Sequence, residues 1–260
     1  MFKDEMMAVC NAAQGKMKLL RENLPGYVIA SFMAGLYIAL GCIFMGVVGG
    51  YLSAANSPAT KLVSGLVFSI GLCCVTMAGA ELFTGNNFVM TAASLRKAVS
   101  WGDTVTLWIV CYLGNLAGSV VAAGVFTMTG IPGGEVVGTF FANGAAAKVS
   151  DTVSALFAKG ILCNICVCVA VWCGIKMKTE AAKLVMNFCC ISAFVACGFE
   201  HSVGNMTYLT IALLNPMGVD VTISGVIYNL AVVTVGNIVG GALFVAVPYY
   251  IIAKNKEIAG

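Results

Sequence analysis

Charge is what this sequence has least of. Only 10% of its 260 residues are Asp, Glu, Lys or Arg, against 60% hydrophobic ones, where a soluble domain carries about a quarter charged residues. That shortage excludes an ordinary water-soluble globule and points to a membrane-embedded chain. The net charge of +3 is small and spread along the chain, so no basic patch marks a nucleic-acid partner. Histidine occurs once, at His201. There is no H-E-x-x-H, no G-x-S-x-G and no pair of aspartates within an apolar span. The familiar intramembrane hydrolase chemistries are thereby missing, and the chain is expected not to be an enzyme. The first two dozen residues are interrupted by Lys3, Asp4, Glu5, Lys16, Lys18, Arg21 and Glu22, so no signal peptide is expected.

Cysteine, by contrast, is plentiful, with twelve. Most lie scattered through apolar segments, where Cys behaves as a small hydrophobe. Cys163, Cys166, Cys168 and Cys173 have partly metal-like spacing, but no histidine or carboxylate lies near them in sequence. Neither a metal nor another cofactor is expected.

Long apolar runs dominate the rest. Six spans, at about 27–52, 62–95, 104–129, 155–175, 184–214 and 222–253, each reach the roughly 20 residues a membrane helix requires. The second and fifth are too long for one crossing and are interrupted, at "ELFTGNN" (Glu81 to Asn87) and "EHSVGN" (Glu200 to Asn205). Eleven of the fourteen basic residues fall on one side of this arrangement. They precede span one (Lys3, Lys16, Lys18, Arg21), follow span two (Arg96, Lys97), join spans four and five (Lys176, Lys178, Lys183) or follow span six (Lys254, Lys256). Lys61, Lys148 and Lys159 fall on the other. Both termini are therefore expected in the cytoplasm. Met6, Val9, Cys10, Ala13, Met17 and Leu20 recur at helical spacing among charged residues, which predicts an amphipathic helix over residues 1–24 lying on the cytoplasmic face.

The chain repeats itself. Glu81 and Glu200 are 119 positions apart, as are Gly85 and Gly204, and "GNLAG" from Gly114 returns as "GNIVG" from Gly236 at an offset of 122. Three crossings per half is an odd number, so the second half must enter from the opposite side. The expected fold is an all-α integral membrane protein of six transmembrane helices in two inverted three-helix repeats, with helices two and five interrupted. The channel domain would span 25–253, with repeats over about 25–130 and 150–253 and a cytoplasmic tail at 254–260.

Irregular backbone at membrane depth is tolerated only where it is buried or lines a cavity. Each break starts a new half-helix whose first N–H groups lack partners. Thr84 is a natural N-cap for one; Ser202 or Asn205 is for the other. Two helix N-termini facing one cavity attract a small anion. His201 can then give a hydrogen bond or a proton to a passing anion. Glu81 and Glu200 read as structural, accepting from freed backbone N–H groups. "LNPMG" at Leu214 and "NSPA" at Asn56 lie away from both breaks and read as helix punctuation.

"ELFTGNN", "CNICVCVAVW" (Cys163 to Trp172) and "FEHSVGNM" together resemble the formate/nitrite transporter family, most closely its hydrosulfide-channel branch, over nearly the whole chain. The resemblance implies an aquaporin-like fold, a homopentamer in the cell (inner) membrane with one pore per protomer, and small monovalent anions (hydrosulfide, formate, nitrite) as permeant species. By motif, Thr84 and His201 would be the central polar pair, with Asn164 nearby. Leu72, Leu82 and Phe194 match the family's cytoplasmic constriction, and Phe68, Phe83 and Val167 its outer one. Lys148, in the loop before span four, matches a basic residue near the outer mouth. Lys16, in the N-terminal helix that is a candidate gate, could guide anions inward. Apolar constrictions exclude hydrated ions by desolvation. A facilitator of water or small neutral solutes is the alternative reading.

Overall fold

The computed structural model describes residues 1–254; Lys256 and most of the expected tail lie outside the described residues. The described chain forms ten helices, α1 (Lys3–Glu22), α2 (Leu24–Ala54), α3 (Thr60–Gly79), α4 (Phe83–Leu95), α5 (Trp101–Met128), α6 (Glu135–Ser150), α7 (Val153–Lys176), α8 (Glu180–Ala196), α9 (Ser202–Leu214) and α10 (Ile223–Ala253), and a single 3-10 turn at Ile131–Gly133. Helices α2, α3, α5, α7 and α10 are long and apolar enough to cross a membrane. The fifth span is divided between α8 and α9, neither of which reaches that length alone.

Polarity is distributed as a lipid solvent demands. Outward positions are apolar, among them Ile109, Leu113, Val125, Ile227 and Ile251, whereas Asn86, Asn87, Asn115, Asn164, Asn205, Asn229 and Asn237 are all buried. Buried asparagines are stable only with partners, and here Asn115 and Asn237 are the partners of irregular backbone.

The GNxxG glycines set the tightest packing. A methyl group on Gly118 would run into the Phe32 carbonyl, and one on Gly240 into that of Ile161. Small residues at four-residue spacing thus let α5 lie directly on α2, and α10 on α7.

Both interrupted helices end in the same way. Gly79 and Gly198 take φ of 84° and 74°, a left-handed conformation that costs glycine little. The next amide then donates five residues back, Ala80 N to Val75 O at 3.0 Å and Phe199 N to Phe194 O at 2.9 Å, as in a Schellman-type stop. The breaks themselves are short. Helix resumes at Phe83 and at Ser202, so Thr84, Gly85, Gly204 and Asn205 lie in the first turns of α4 and α9 rather than within the breaks.

One expectation needs correction. Residues 135–150 are a helix, not a loop, and Lys148 sits in its last turn. Its buried Val137, Phe141, Ala142 and Ala145 follow helical spacing, a signal obscured by the flanking Gly-Ile-Pro-Gly-Gly and a length too short for a crossing. The apolar stripe of α1 (Met6, Val9, Ala13, Met17, Leu20) is buried against α2, α4, α7 and α10. Phe2 fixes its start, edge-on to Trp172 at 5.6 Å, and Arg21 fixes its end through Asp103 at 2.6 Å.

Candidate functional site

Four exposed helix starts are capped locally by a hydroxyl. Ser100, Thr152, Thr179 and Thr222 each accept a backbone N–H three residues ahead. The two buried starts are served from a distance. Asn115 on α5 accepts from Phe83 N (2.9 Å) and donates to the carbonyls of Glu81 (2.9 Å) and Ser31 (2.7 Å). Asn237 on α10 accepts from Ser202 N (2.9 Å) and donates to the carbonyls of Glu200 (2.9 Å) and Gly160 (2.8 Å). The asparagine of each GNxxG is therefore the clip that satisfies one break. Neither Asn115 nor Asn237 was a candidate from sequence. Their recurrence within GNxxG was the available signal, but their partners lie more than thirty residues away.

The carboxylates do something other than expected. Neither takes a freed backbone N–H. Glu81 accepts from Lys16 Nζ (2.6 and 2.7 Å) and Asn86 Nδ2 (3.0 Å), and Glu200 from Lys148 Nζ (2.7 Å) and Asn205 Nδ2 (2.5 Å). Each charge is neutralised by a lysine from the short helix that opens its half of the chain. Both pairs are largely withdrawn from solvent, with the Glu side chains 13% and 6% exposed.

At the centre the two half-helices touch. Thr84 Oγ1 lies 2.9 Å from His201 Nε2, both residues buried. The N-cap of α9 is His201 itself, not Ser202 or Asn205: its Nδ1 accepts the Gly204 amide at 2.9 Å. Thr84 is no cap either; it is the second residue of α4, behind Leu82. The cap fixes the tautomer. A nitrogen that accepts a backbone N–H carries no proton, so in the neutral ring the hydrogen is on Nε2 and is donated to Thr84. The hydroxyl hydrogen of Thr84 is then left with no acceptor among the described residues. Behind Thr84, its carbonyl accepts from Asn164 Nδ2 (3.2 Å) and Cys168 Sγ (3.4 Å), and Asn164 also donates to Asn87 Oδ1 and Asn237 O. Cys168, considered from sequence only as part of a metal-like cysteine cluster, is a further residue whose place here the sequence did not reveal.

Cavities open on both sides of this pair. One of about 800 Å³ is lined by Lys61, Phe68, Lys148, Phe194, Glu200 and His201, among others. The second, about 600 Å³, is lined by Lys16, Leu72, Glu81, Leu82 and Gly85, among others. Leu72 and Leu82 are thus brought together, but Phe194 is not with them. It lies in the larger cavity, edge-on to Phe68 at 6.0 Å and stacked on His201 at 5.8 Å. Phe83 faces Tyr112 at 5.0 Å and Trp108 at 6.4 Å and lines neither cavity, and buried Val167 lines neither. The register explains Phe83: as the first residue of α4 its amide is held by Asn115, which turns its ring toward α5. Gly204 borders the larger cavity, close to Phe68 and the His201 ring.

The profile of the formate/nitrite transporter family matches residues 3–251. The chain is 35% identical over 243 residues to the nitrite transporter NirC of Escherichia coli (strain K12), covering 93% of this chain and 89% of that protein. Among solved structures it is similar to an FNT family ion channel, with a TM-score of 0.91 and 33% identity over 96% of this chain and 99% of the other. A pentameric formate channel with formate bound gives a TM-score of 0.76 and 30% identity, covering 89% and 98%. Helices and relatives together make this an integral membrane protein.

Proposed function

Because the chain belongs to the formate/nitrite transporter family, whose members are transporters and channels rather than enzymes, we propose that it conducts small monovalent anions of weak acids through a pore in each protomer of a homopentamer. The observation that carries this reading is the Thr84–His201 pair between two cavities. There the N-termini of α4 and α9 converge, and a buried hydroxyl hydrogen has no protein acceptor. An anion supplies the missing acceptor, and the helix ends stabilise its charge without a fixed cation. Apolar rings lie on either side, Leu72 and Leu82 toward Lys16, Phe68 and Phe194 toward Lys148. A hydrated ion cannot cross them with its water shell, so weakly hydrated or transiently protonated species pass.

In this reading the halves form an inverted repeat, each with its own short leading helix, in a cell (inner) membrane with both termini cytoplasmic. Lys16 then faces the cytoplasmic cavity and Lys148 the outer one. Hydrosulfide is the preferred species, because its acid is partly neutral near physiological pH and needs least help from a proton donor; formate and nitrite are the other candidates. Transport is passive or proton-linked.

The test is anion entry into proteoliposomes carrying an internal pH dye, with hydrosulfide, formate, nitrite and chloride offered in turn. Wild type should admit the three weak-acid anions and not chloride. His201→Phe should slow entry at least about tenfold, equivalent to about 1.4 kcal/mol of barrier. Equal leakage of all four, or flux indifferent to His201, would refute the assignment.

A further inference from the structure

The two lysines nearest the pore centre are both neutralised, Lys16 by Glu81 and Lys148 by Glu200. An anion arriving at either cavity therefore meets ion pairs, not free cations. The larger cavity nevertheless has one uncompensated charge. Its charged lining residues are Lys61, Lys148 and Glu200, and Lys61 is exposed and forms no ion pair among the described residues. The smaller cavity has no such surplus, since Lys16 and Lys183 balance Glu81 and Glu180 on its lining.

Lys61 does not stand alone. It is the second residue of α3, and Ser64 and Phe68 follow at three and seven positions, on the same helical face and on the same cavity wall. Ser64 is 6% exposed, and its hydroxyl has no hydrogen-bond partner among the described residues. Thr91, Ser119, Ser202 and Thr207 have buried hydroxyls that are likewise unpaired, but of the five only Ser64 lines one of the two cavities. A buried unpaired hydroxyl costs about 1–3 kcal/mol unless something else serves it. Phe68 ends the row, its ring against Phe194 and against the first turn of α9 that His201 caps. Ammonium, hydroxyl and ring thus run in order from the rim toward the histidine.

We propose that Lys61 and Ser64 form an anion-recruiting subsite in the larger cavity, ahead of the Phe68–Phe194 constriction. The Lys61 ammonium raises the local concentration of small monovalent anions at the rim. The Ser64 hydroxyl gives the arriving anion its first protein hydrogen bond as water is shed. This inference rests on reading the chain as an anion pathway.

Formate entry into proteoliposomes, measured at two ionic strengths, tests it. Near 10 mM salt the screening length is about 30 Å and near 1 M about 3 Å. At low salt Lys61→Gln should slow entry about threefold and Lys61→Glu about tenfold, and both should converge on wild type at high salt, as long-range steering requires. Ser64→Ala should slow entry about twofold at both salts, because a hydrogen bond at contact is not screened away. Lys61→Glu matching wild type at low salt, a deficit in that variant that persists at 1 M, or full-rate entry in Ser64→Ala would overturn the proposal. Wild-type vesicles no faster than protein-free ones would instead remove the parent reading. A conducting, His201-dependent wild type beside a salt-blind Lys61→Glu would remove this one alone.

Discussion

The two helix breaks are built alike and differ where it matters. Each has a left-handed glycine, Gly79 or Gly198, an asparagine clip from a GNxxG helix, and a Glu held by one lysine and one asparagine. At the same offset of 119, Leu82 faces His201 in register, and Thr84 faces Val203. The shared residues all serve backbone or charge that burial would otherwise leave unsatisfied. The unshared residues supply the single polar contact between the breaks. A common scaffold thus answers the membrane's demand for paired backbone, and the departures from it carry the chemistry.

Removing the clips should have the largest effect. Asn115→Ala and Asn237→Ala each strand an N–H and take one hydrogen bond from each of two carbonyls, and each should cost about 3 kcal/mol, read as a lowered unfolding temperature in detergent. If one variant is silent, the equivalence of the breaks is broken. The lysines come next. Lys148→Met leaves Glu200 unpaired at 6% exposure and should cost about 2 kcal/mol, more than Lys16→Met, whose Glu81 is 13% exposed and can draw on water. Denaturation of the two variants side by side checks the order, and the reverse order would contradict it.

Thr84→Val gives the first break the residue of the second, removing the hydroxyl at nearly constant shape. Flux should fall about tenfold, some 1.4 kcal/mol in barrier, while the His201 cap on Gly204 keeps the fold. Undiminished flux would mean that Thr84 only positions the ring. Smallest should be Gly79→Ala and Gly198→Ala. Neither added methyl would meet a neighbour, so only the positive φ opposes it, at about 1 kcal/mol each. Equal shifts in thermal unfolding are expected, and a large inequality would show that one break is held by more than its turn.

Much of this arrangement was legible because it is local or periodic. Spans were visible from sustained apolar runs, and the breaks from Glu, Gly and Asn interrupting them. The stripe on α1 was visible from spacing, although what covers it was not. What escaped depended on distant partners. Thr84, Ser202 and Asn205 were the natural local caps, yet His201 caps its own helix and the two clip asparagines reach across from neighbouring helices to serve the remaining backbone groups. Phe194 lies with Phe68 and Phe83 lines neither cavity for a related reason: which way a ring turns is set by the helix packed against it.

The sequence by itself determined that this chain lives in a membrane, where its helices break, and that it carries one histidine at one break. These follow from hydropathy, composition and glycine placement, properties that need no knowledge of contacts. Only the tertiary structure decided that Glu81 and Glu200 are neutralised, that Asn115 and Asn237 clip the breaks, and that His201 is a cap whose proton points at Thr84. Those outcomes depend on hydrogen-bond geometry between segments tens to more than a hundred residues apart, where about an ångström separates a bond from none.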